Sequence, residues 1–315
     1  MKEKYTQNPT VHTNIPLITP VLFLIFNRPE TTEQVFSAIK KAQPPRLYIA
    51  ADGPRSDYSN EADNCELARS IATNVDWDCE VKTLFRDQNL GCRLAVSQAI
   101  DWFFKEQPEG IILEDDCVPE DNFFRFCQEL LELYRNDKEV GAVCGFYSNQ
   151  QDYKPRNSYF FSRYLRVWGW AGWRRTFEGY DSKINLLIEN KNTWQSDIFD
   201  QTDVLLKKYF QQMFDQVANG QVDTWDTQLQ YLLWQKNQWV VTSSNNLIKN
   251  IGWAEGTHAQ KKDHNHDLPT GEIKFPLDHP ENFERDIKAD QIIEQKSYRI
   301  TKLSYVKSCL KKLIQ

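Results

Sequence analysis

Three consecutive carboxylates, Glu114, Asp115 and Asp116, follow the short apolar run from Ile111 to Leu113. Acids placed side by side repel one another unless a cation or hydroxyl donors sit among them. The apolar run and the amphipathic segment after it predict a buried parallel strand feeding a helix. Ligands of open α/β sheets bind beyond the carboxyl ends of the strands. The triplet is therefore a candidate site, weighed against the plainer reading of a solvated acidic turn. Carboxylate oxygens suit a hard cation, Mg²⁺ or Mn²⁺. Such an ion is usually completed by substrate phosphates, which implies a diphosphate ligand. A metal there would neutralise charge on a departing phosphate oxygen. Glu114 and Asp115 would then be left to hold ribose or sugar hydroxyls.

Other predicted strand ends carry matching chemistry. Asp52 suits an N–H of a base, or is a plain Asp-Gly turn. Arg28 and Arg93 suit phosphate, or surface ion pairs. A transfer reaction also needs a base for the incoming hydroxyl. Asp223 and Asp226 flank Thr224-Trp225, where partial desolvation would raise a carboxylate pKa. Asp223 fits a helix cap better, so Asp226 is the preferred base and Asp223 the alternative.

These residues need a scaffold that brings them together. Apolar runs predict strands at 20–27, 46–53 and 111–113, and a further strand is expected at 80–85. Helical spacing predicts helices at about 30–42, at 60–74, from the turn at 88–91 to about 105, and after Pro119. Four strand–helix alternations within the first 135 residues predict an α/β fold with a parallel sheet flanked by helices. Asn27, Arg28, Asp52, Arg93 and the triplet should then face one crevice. The stripe Phe123, Phe126, Cys127, Leu130, Leu131 and Tyr134 is core-facing. Further strands are expected at 140–146 and 239–242, and helices within 183–220. Thr224 is expected to cap a helix over 225–236. Residues 159–173 are dense in aromatics and Arg. Residues 259–290 read as irregular.

We expect a flexible arm at 1–18, one domain at 19–258 and an extension at 259–315. Within the domain, a nucleotide-binding half would span about 19–150 and an acceptor half 151–258. From Lys296 to Gln315 the chain is basic, with Ile300, Leu303, Val306 and Leu310 at helical spacing. That helix suits either an anionic membrane surface or the body of the protein.

The whole chain has 315 residues, 40% hydrophobic, with a net charge of −6. The charge gives no reason to expect nucleic acid. Seven cysteines, an odd number without a Cys-x-x-Cys pair, point to free thiols in a reducing compartment. The polar N-terminus carries no signal-peptide core, and no run is long enough to span a membrane. The expected location is cytoplasmic, with peripheral contact at the inner face of the membrane if the basic helix binds lipid. No dinucleotide, P-loop or nucleophile-elbow glycine pattern occurs.

The stretch Ile-Leu-Glu-Asp-Asp-Cys-Val-Pro-Glu-Asp-Asn-Phe-Phe resembles the acidic metal motif of GT-A nucleotide-diphospho-sugar transferases. Within them it is similar to the N-acetylglucosaminyltransferase I-like group and its bacterial relatives. The resemblance covers roughly residues 18–258. It implies that Asp116 ligates Mn²⁺ and that Glu114 and Asp115 contact ribose and sugar. It implies that Asp52 binds uracil and that Phe26-Asn27-Arg28 contacts the nucleotide. Trp168-Gly169-Trp170 is similar to a segment near the donor sugar and acceptor. Trp225-Asp226 resembles the Trp-Asp pair whose Asp is the base of an inverting transfer. Residues 250–258 resemble a loop closing over the diphosphate, with His258 reaching it or the metal. The implied activity moves a sugar from a nucleoside diphosphate sugar, a UDP-sugar in the first instance, to a hydroxyl. The acceptor would be a sugar, lipid-linked or polysaccharide precursor, as in surface polysaccharide or glycolipid synthesis. The alternatives are a nucleotide-sugar hydrolase or nucleotidyltransferase on the same fold, or a non-catalytic carbohydrate-binding protein.

Overall fold

Val21–Ile25 (β1) is a run of five apolar residues, all buried. It pairs in parallel with Arg46–Ala51 (β2) on one side and Glu109–Glu114 (β4) on the other. Glu80–Phe85 (β3) adds to β2, also in parallel. The connections are helices Pro29–Ala42 (α1), Glu61–Ala72 (α2) and Cys92–Glu106 (α3). Pro29 lies in the first turn of α1, where its missing N–H costs nothing. The chain goes outward from β1 to β3 and crosses back to β4. The β1/β4 boundary is thus a topological switch point, where α/β sheets open a crevice. The computed structural model describes residues 16–184, 204–252 and 268–300.

Asn122–Leu133 (α4) packs its stripe Phe123, Phe126, Cys127, Leu130 and Leu131 into the core, with Tyr134 just beyond it. Val140–Cys144 (β6) and Trp239–Ser243 (β9) pair in parallel. The aromatic stretch supplies two strands, Tyr159–Ser162 (β7) and Trp170–Trp173 (β8). Its aromatics are buried on both faces, so the period-2 alternation of a half-exposed strand is absent from the sequence. β8 inserts antiparallel between β4 and β6, and β7 closes the far edge against β9. The result is an eight-stranded, mostly parallel sheet in the order β3-β2-β1-β4-β8-β6-β9-β7, flanked by helices. A separate two-stranded ladder joins Cys117–Pro119 (β5) to Ile248–Asn250 (β10). Thus a short strand intervenes where the sequence predicted direct entry from the triplet into α4.

Arg174–Phe177 (α5) follows β8. Val204–Ala218 (α6) and Asp226–Gln235 (α7) build the rest of the helical layer. Thr224 does not cap α7: the N-cap position is Trp225, without a side-chain cap bond, and the Thr224 hydroxyl donates to Asp226 instead. Phe210, Phe214, Tyr164 and Trp234 anchor a second apolar cluster. The C-terminal part of the described chain is more ordered than its polarity suggested. Ile287–Ile292 (α8) is capped by Asp286, whose carboxylate accepts the Ala289 N–H. A π-helical turn at Ile293–Ser297 follows. Most of the basic segment, residues 301–315, lies outside the described residues. Among the described residues, no helix is long and apolar enough to cross a membrane.

α8 is tied to β7 by a buried carboxylate. Asp290 accepts from Ser162 Oγ at 2.6 Å and from the Arg163 N–H at 3.3 Å. Burial pushes its pKa up to about 7, against the pull of Ser162, Arg163 and Arg285. An unfolded Asp titrates near 3.9. Between about pH 4 and 7 the folded chain therefore holds a proton the unfolded chain has lost, and this residue's contribution to stability falls as pH rises. Asp290→Asn should flatten the pH dependence of the urea midpoint across that window. An unchanged slope would contradict the assignment.

Candidate active site

The loops at the carboxyl ends of β1 and β4 meet through Arg28. Its guanidinium bonds the Asp115 carboxylate and donates from Nη1 to Asp116 Oδ2 at 2.9 Å. The Phe26 N–H adds a bond to Asp115 Oδ2 at 3.3 Å. The cation required by the acidic triplet is thus supplied at least in part by the chain itself, 87 residues away in sequence. Asp115 is buried, and burial pushes its pKa up to about 6 while Arg28 pulls it down. Glu114 is raised well above the carboxylate range, first by burial and then by Asp116 and Asp115. No hydrogen bond reaches the Glu114 carboxyl among the described residues.

The β5–β10 ladder delivers the next piece. It leads the chain back over the triplet, where the Ile251 N–H donates to the Asp116 carbonyl at 2.8 Å. A Cβ on Gly252 would lie 2.1 Å from Asp116 Oδ2 and 2.7 Å from Arg28 Nη1. A side chain there would push the Asp116 carboxylate or the Arg28 guanidinium aside. The described part of the 250–258 loop therefore touches the triplet, and His258 lies outside the described residues.

Asp226 comes to the same end of the sheet at the start of α7. Its Oδ1 accepts from the Thr224 hydroxyl and from the Thr227 N–H at 2.8 Å. Oδ2 accepts nothing among the described residues. One oxygen is held and the other is open. Asp223 is placed differently: exposed, beside Gly91, with Oδ1 3.5 Å from Arg93 Nε. Cys92, at the first turn of α3, marks where these groups converge. Its thiol pKa is pushed up by burial, then by Glu114, Asp226, Asp223 and Asp52. The amino end of α3, with its partial positive charge, offsets part of that negative field.

Asp52 is engaged by the backbone. Its carboxylate accepts from the N–H groups of Gly53, Leu90 and Gly91 at 2.9–3.1 Å. These bonds hold the β2 and β3 loops together and occupy most of the lone pairs. Asn27 donates to Glu61 Oε1 at 2.8 Å, and Glu61 also pairs Arg55. Trp170 is fully buried and stacks on Trp225, itself nearly so, at 6.2 Å between ring centroids. Both brace the wall of the crevice from behind. Gly169 takes a left-handed φ of +64°, and a Cβ there would strike Ile248. It thereby seats β10 against the start of β8.

Of the residues expected to share a crevice, Arg28 directly contacts Asp115 and Asp116. Asp226 is close enough for its charge to raise Glu114. Arg93 and Asp52 adjoin through Gly91 and Asp223. Cys92, Glu61 and Arg55 were missed, and Gly252 was named only as part of the loop 250–258. An acid at a helix start was the signal for Glu61, and a glycine in the loop after the last strand was the signal for Gly252. Cys92 carried none. Two open clefts, of about 480 and 510 Å³, lie away from the triplet: one around Glu109 and Arg135, the other between α3 and Phe177–Ser182.

A hard divalent ion here would need ligands beyond those the described residues supply. No group of three or more His, Cys, Asp or Glu gathers among the described residues to hold an ion unaided. Asp116 offers one accessible carboxylate, whose Oδ1 takes only the Cys117 thiol. That donor set suits an ion whose shell substrate phosphates complete.

No protein-family model matches the chain, and no curated protein matches it. Among solved structures it is similar to UDP-glucose pyrophosphorylase complexed with UDP-glucose, at 9% identity and a TM-score of 0.29, over 51% of this chain and 78% of that one. It is also similar to apo UDP-glucose pyrophosphorylase, at 8% identity and 0.34, over 72% and 90%. A third is mouse xyloside xylosyltransferase 1 in its apo form, at 10% and 0.33, over 69% and 81%.

Proposed function

We propose that this chain is a glycosyltransferase that moves a sugar from a nucleoside diphosphate sugar to a hydroxyl, with inversion at the transferred carbon. The observation that carries this reading is the Asp226 carboxylate, with one oxygen anchored and the other unbonded among the described residues, near enough to the triplet for its charge to act on Glu114. In this role Asp226 Oδ2 takes the acceptor proton as the hydroxyl attacks. Its anchored oxygen fixes the direction of approach, which is how a positioned base lowers a barrier. Asp116 would hold Mn²⁺ or Mg²⁺, which supplies neutralisation of the departing diphosphate. Asp115, Arg28 and Gly252 keep Asp116 oriented. Glu114, whose pKa is pushed up by burial and by Asp116 and Asp115, would bond a hydroxyl of the donor. The intact triplet and the open base set this reading above a carbohydrate-binding protein. The GT-A resemblance gives the same assignment of Asp116 and Asp226.

A thermal-shift panel of nucleoside diphosphate sugars with Mn²⁺ tests the donor class, because a ligand that binds only the folded state raises its apparent stability. At least one member should raise the midpoint, and free monosaccharides should not. A panel without any response would remove the donor assignment.

A further inference from the structure

Arg166 stands at the same end of the sheet, beyond β6, where its carbonyl accepts from the Cys144 thiol at 2.6 Å. Arg28, Arg55, Arg125, Arg135 and Arg163 each pair with a carboxylate. Arg166 pairs with none among the described residues. Its Nε is buried without a hydrogen-bond partner. Its single hydrogen bond there runs from Nη2 to Ser148 Oγ, at a long 3.4 Å. The guanidinium lies over the Tyr298 ring, 5.1 Å from the centroid. Ser148, Asn149 and Ser297 sit beside it as a hydroxyl and amide cluster bonded at 2.8–3.1 Å. A half-buried guanidinium without a counter-ion is a costly arrangement unless a ligand supplies the charge. The place is on the base side of the crevice, since the Asp226 charge is among those acting on the Tyr298 hydroxyl.

We propose that Arg166 recognises an anionic group, a phosphate or carboxylate, carried by the acceptor sugar, with Ser148 and Ser297 completing the contact. This rests on the glycosyltransferase reading for the word acceptor, but the anion site itself does not. Arg166 is aimed by Tyr298, so the C-terminal segment forms one wall of the acceptor side. The aromatic and arginine-rich stretch 159–173 thereby gains a recognition role beside its structural one.

The test titrates three probes into the full chain and reads binding by isothermal calorimetry. They are methyl β-D-glucuronide, glucose 6-phosphate and methyl β-D-glucoside. The anionic sugars should bind at least about tenfold more tightly than the neutral one, the worth of a charge-assisted bond. Arg166→Gln should erase the difference and leave the glucoside unchanged. If that variant does not fold, Arg166→Lys should weaken both anionic sugars and spare the glucoside. No preference in the wild type, or a preference that survives substitution, overturns the proposal. UDP with Mn²⁺ is titrated in parallel. Its failure to bind would sink the donor assignment, and the anion preference would be read independently of it.

Discussion

Asp226→Asn is expected to slow sugar transfer by about 10²–10⁴-fold, the usual worth of a positioned general base. Donor affinity should be untouched. The amide keeps an oxygen that can accept from the Thr224 hydroxyl and the Thr227 N–H, so the start of α7 survives. It loses the capacity to take a proton at the open position. The check is a transfer assay at saturating donor, with donor affinity measured on the same preparation. Transfer that persists at the wild-type rate would move the base elsewhere. Asp223 would then be next, although its pairing with Arg93 makes it the poorer base. Substituting Asp223 alone should matter less, because its carboxylate faces solvent and not the triplet.

Arg28→Leu has the largest expected effect on stability. The side chain is mostly buried and compensates Asp115 and Asp116 together. Removing one partner of a buried pair typically costs about 3–5 kcal/mol, because the remaining charge is stranded. The backbone role of Arg28 is separate: its carbonyl accepts from the Thr32 N–H at 3.0 Å and does not depend on the side chain. The loss should therefore be electrostatic, and neutralising the stranded acid should recover part of it. In urea unfolding, Arg28→Leu with Asp115→Asn should be more stable than Arg28→Leu alone. A double variant no better than the single one would show that Arg28 acts by packing.

β1, β2 and β4 were legible because each contains a buried apolar run, and β3, Glu-Val-Lys-Thr-Leu-Phe and mostly exposed, only as the strand between two helices. β7 and β8 were not legible. Their residues are buried on both faces, so alternation gives no signal, and aromatic density reads equally as a binding surface. The three-residue β5 and β10 are too short for any period, and they exist only because residues over a hundred positions apart meet. α8 was hidden by polar composition, since within it only Ala289 and the carboxylate of Asp290 are buried.

The site divides in the same way. That a triplet at a strand end wants a cation follows from local chemistry. That Arg28 is such a cation does not, because its contact spans 87 residues and no short-range pattern encodes it. Asp52 was read as a ligand for a base from its position after β2. Its three backbone N–H donors come from loops that only the folded sheet brings together. The resemblance puts Trp170 and Trp225 near substrate, and in the fold both are buried, Trp170 fully. Asp226 was preferred over Asp223 for being inside the helix. In the fold the two differ in setting: Asp226 Oδ1 is held by Thr224 and the Thr227 N–H, and Asp223 is exposed beside Arg93.

In the proposed reaction Asp116 serves departure of the diphosphate and Asp226 attack by the acceptor, and one titration separates them. UDP is titrated calorimetrically into the wild type, Asp116→Ala and Asp226→Asn, each with and without Mn²⁺. Wild type and Asp226→Asn should bind UDP more tightly with the metal than without it, and Asp116→Ala should show the same affinity in both conditions. Metal-dependent binding that survives in Asp116→Ala, or that disappears in Asp226→Asn, would contradict this division of labour.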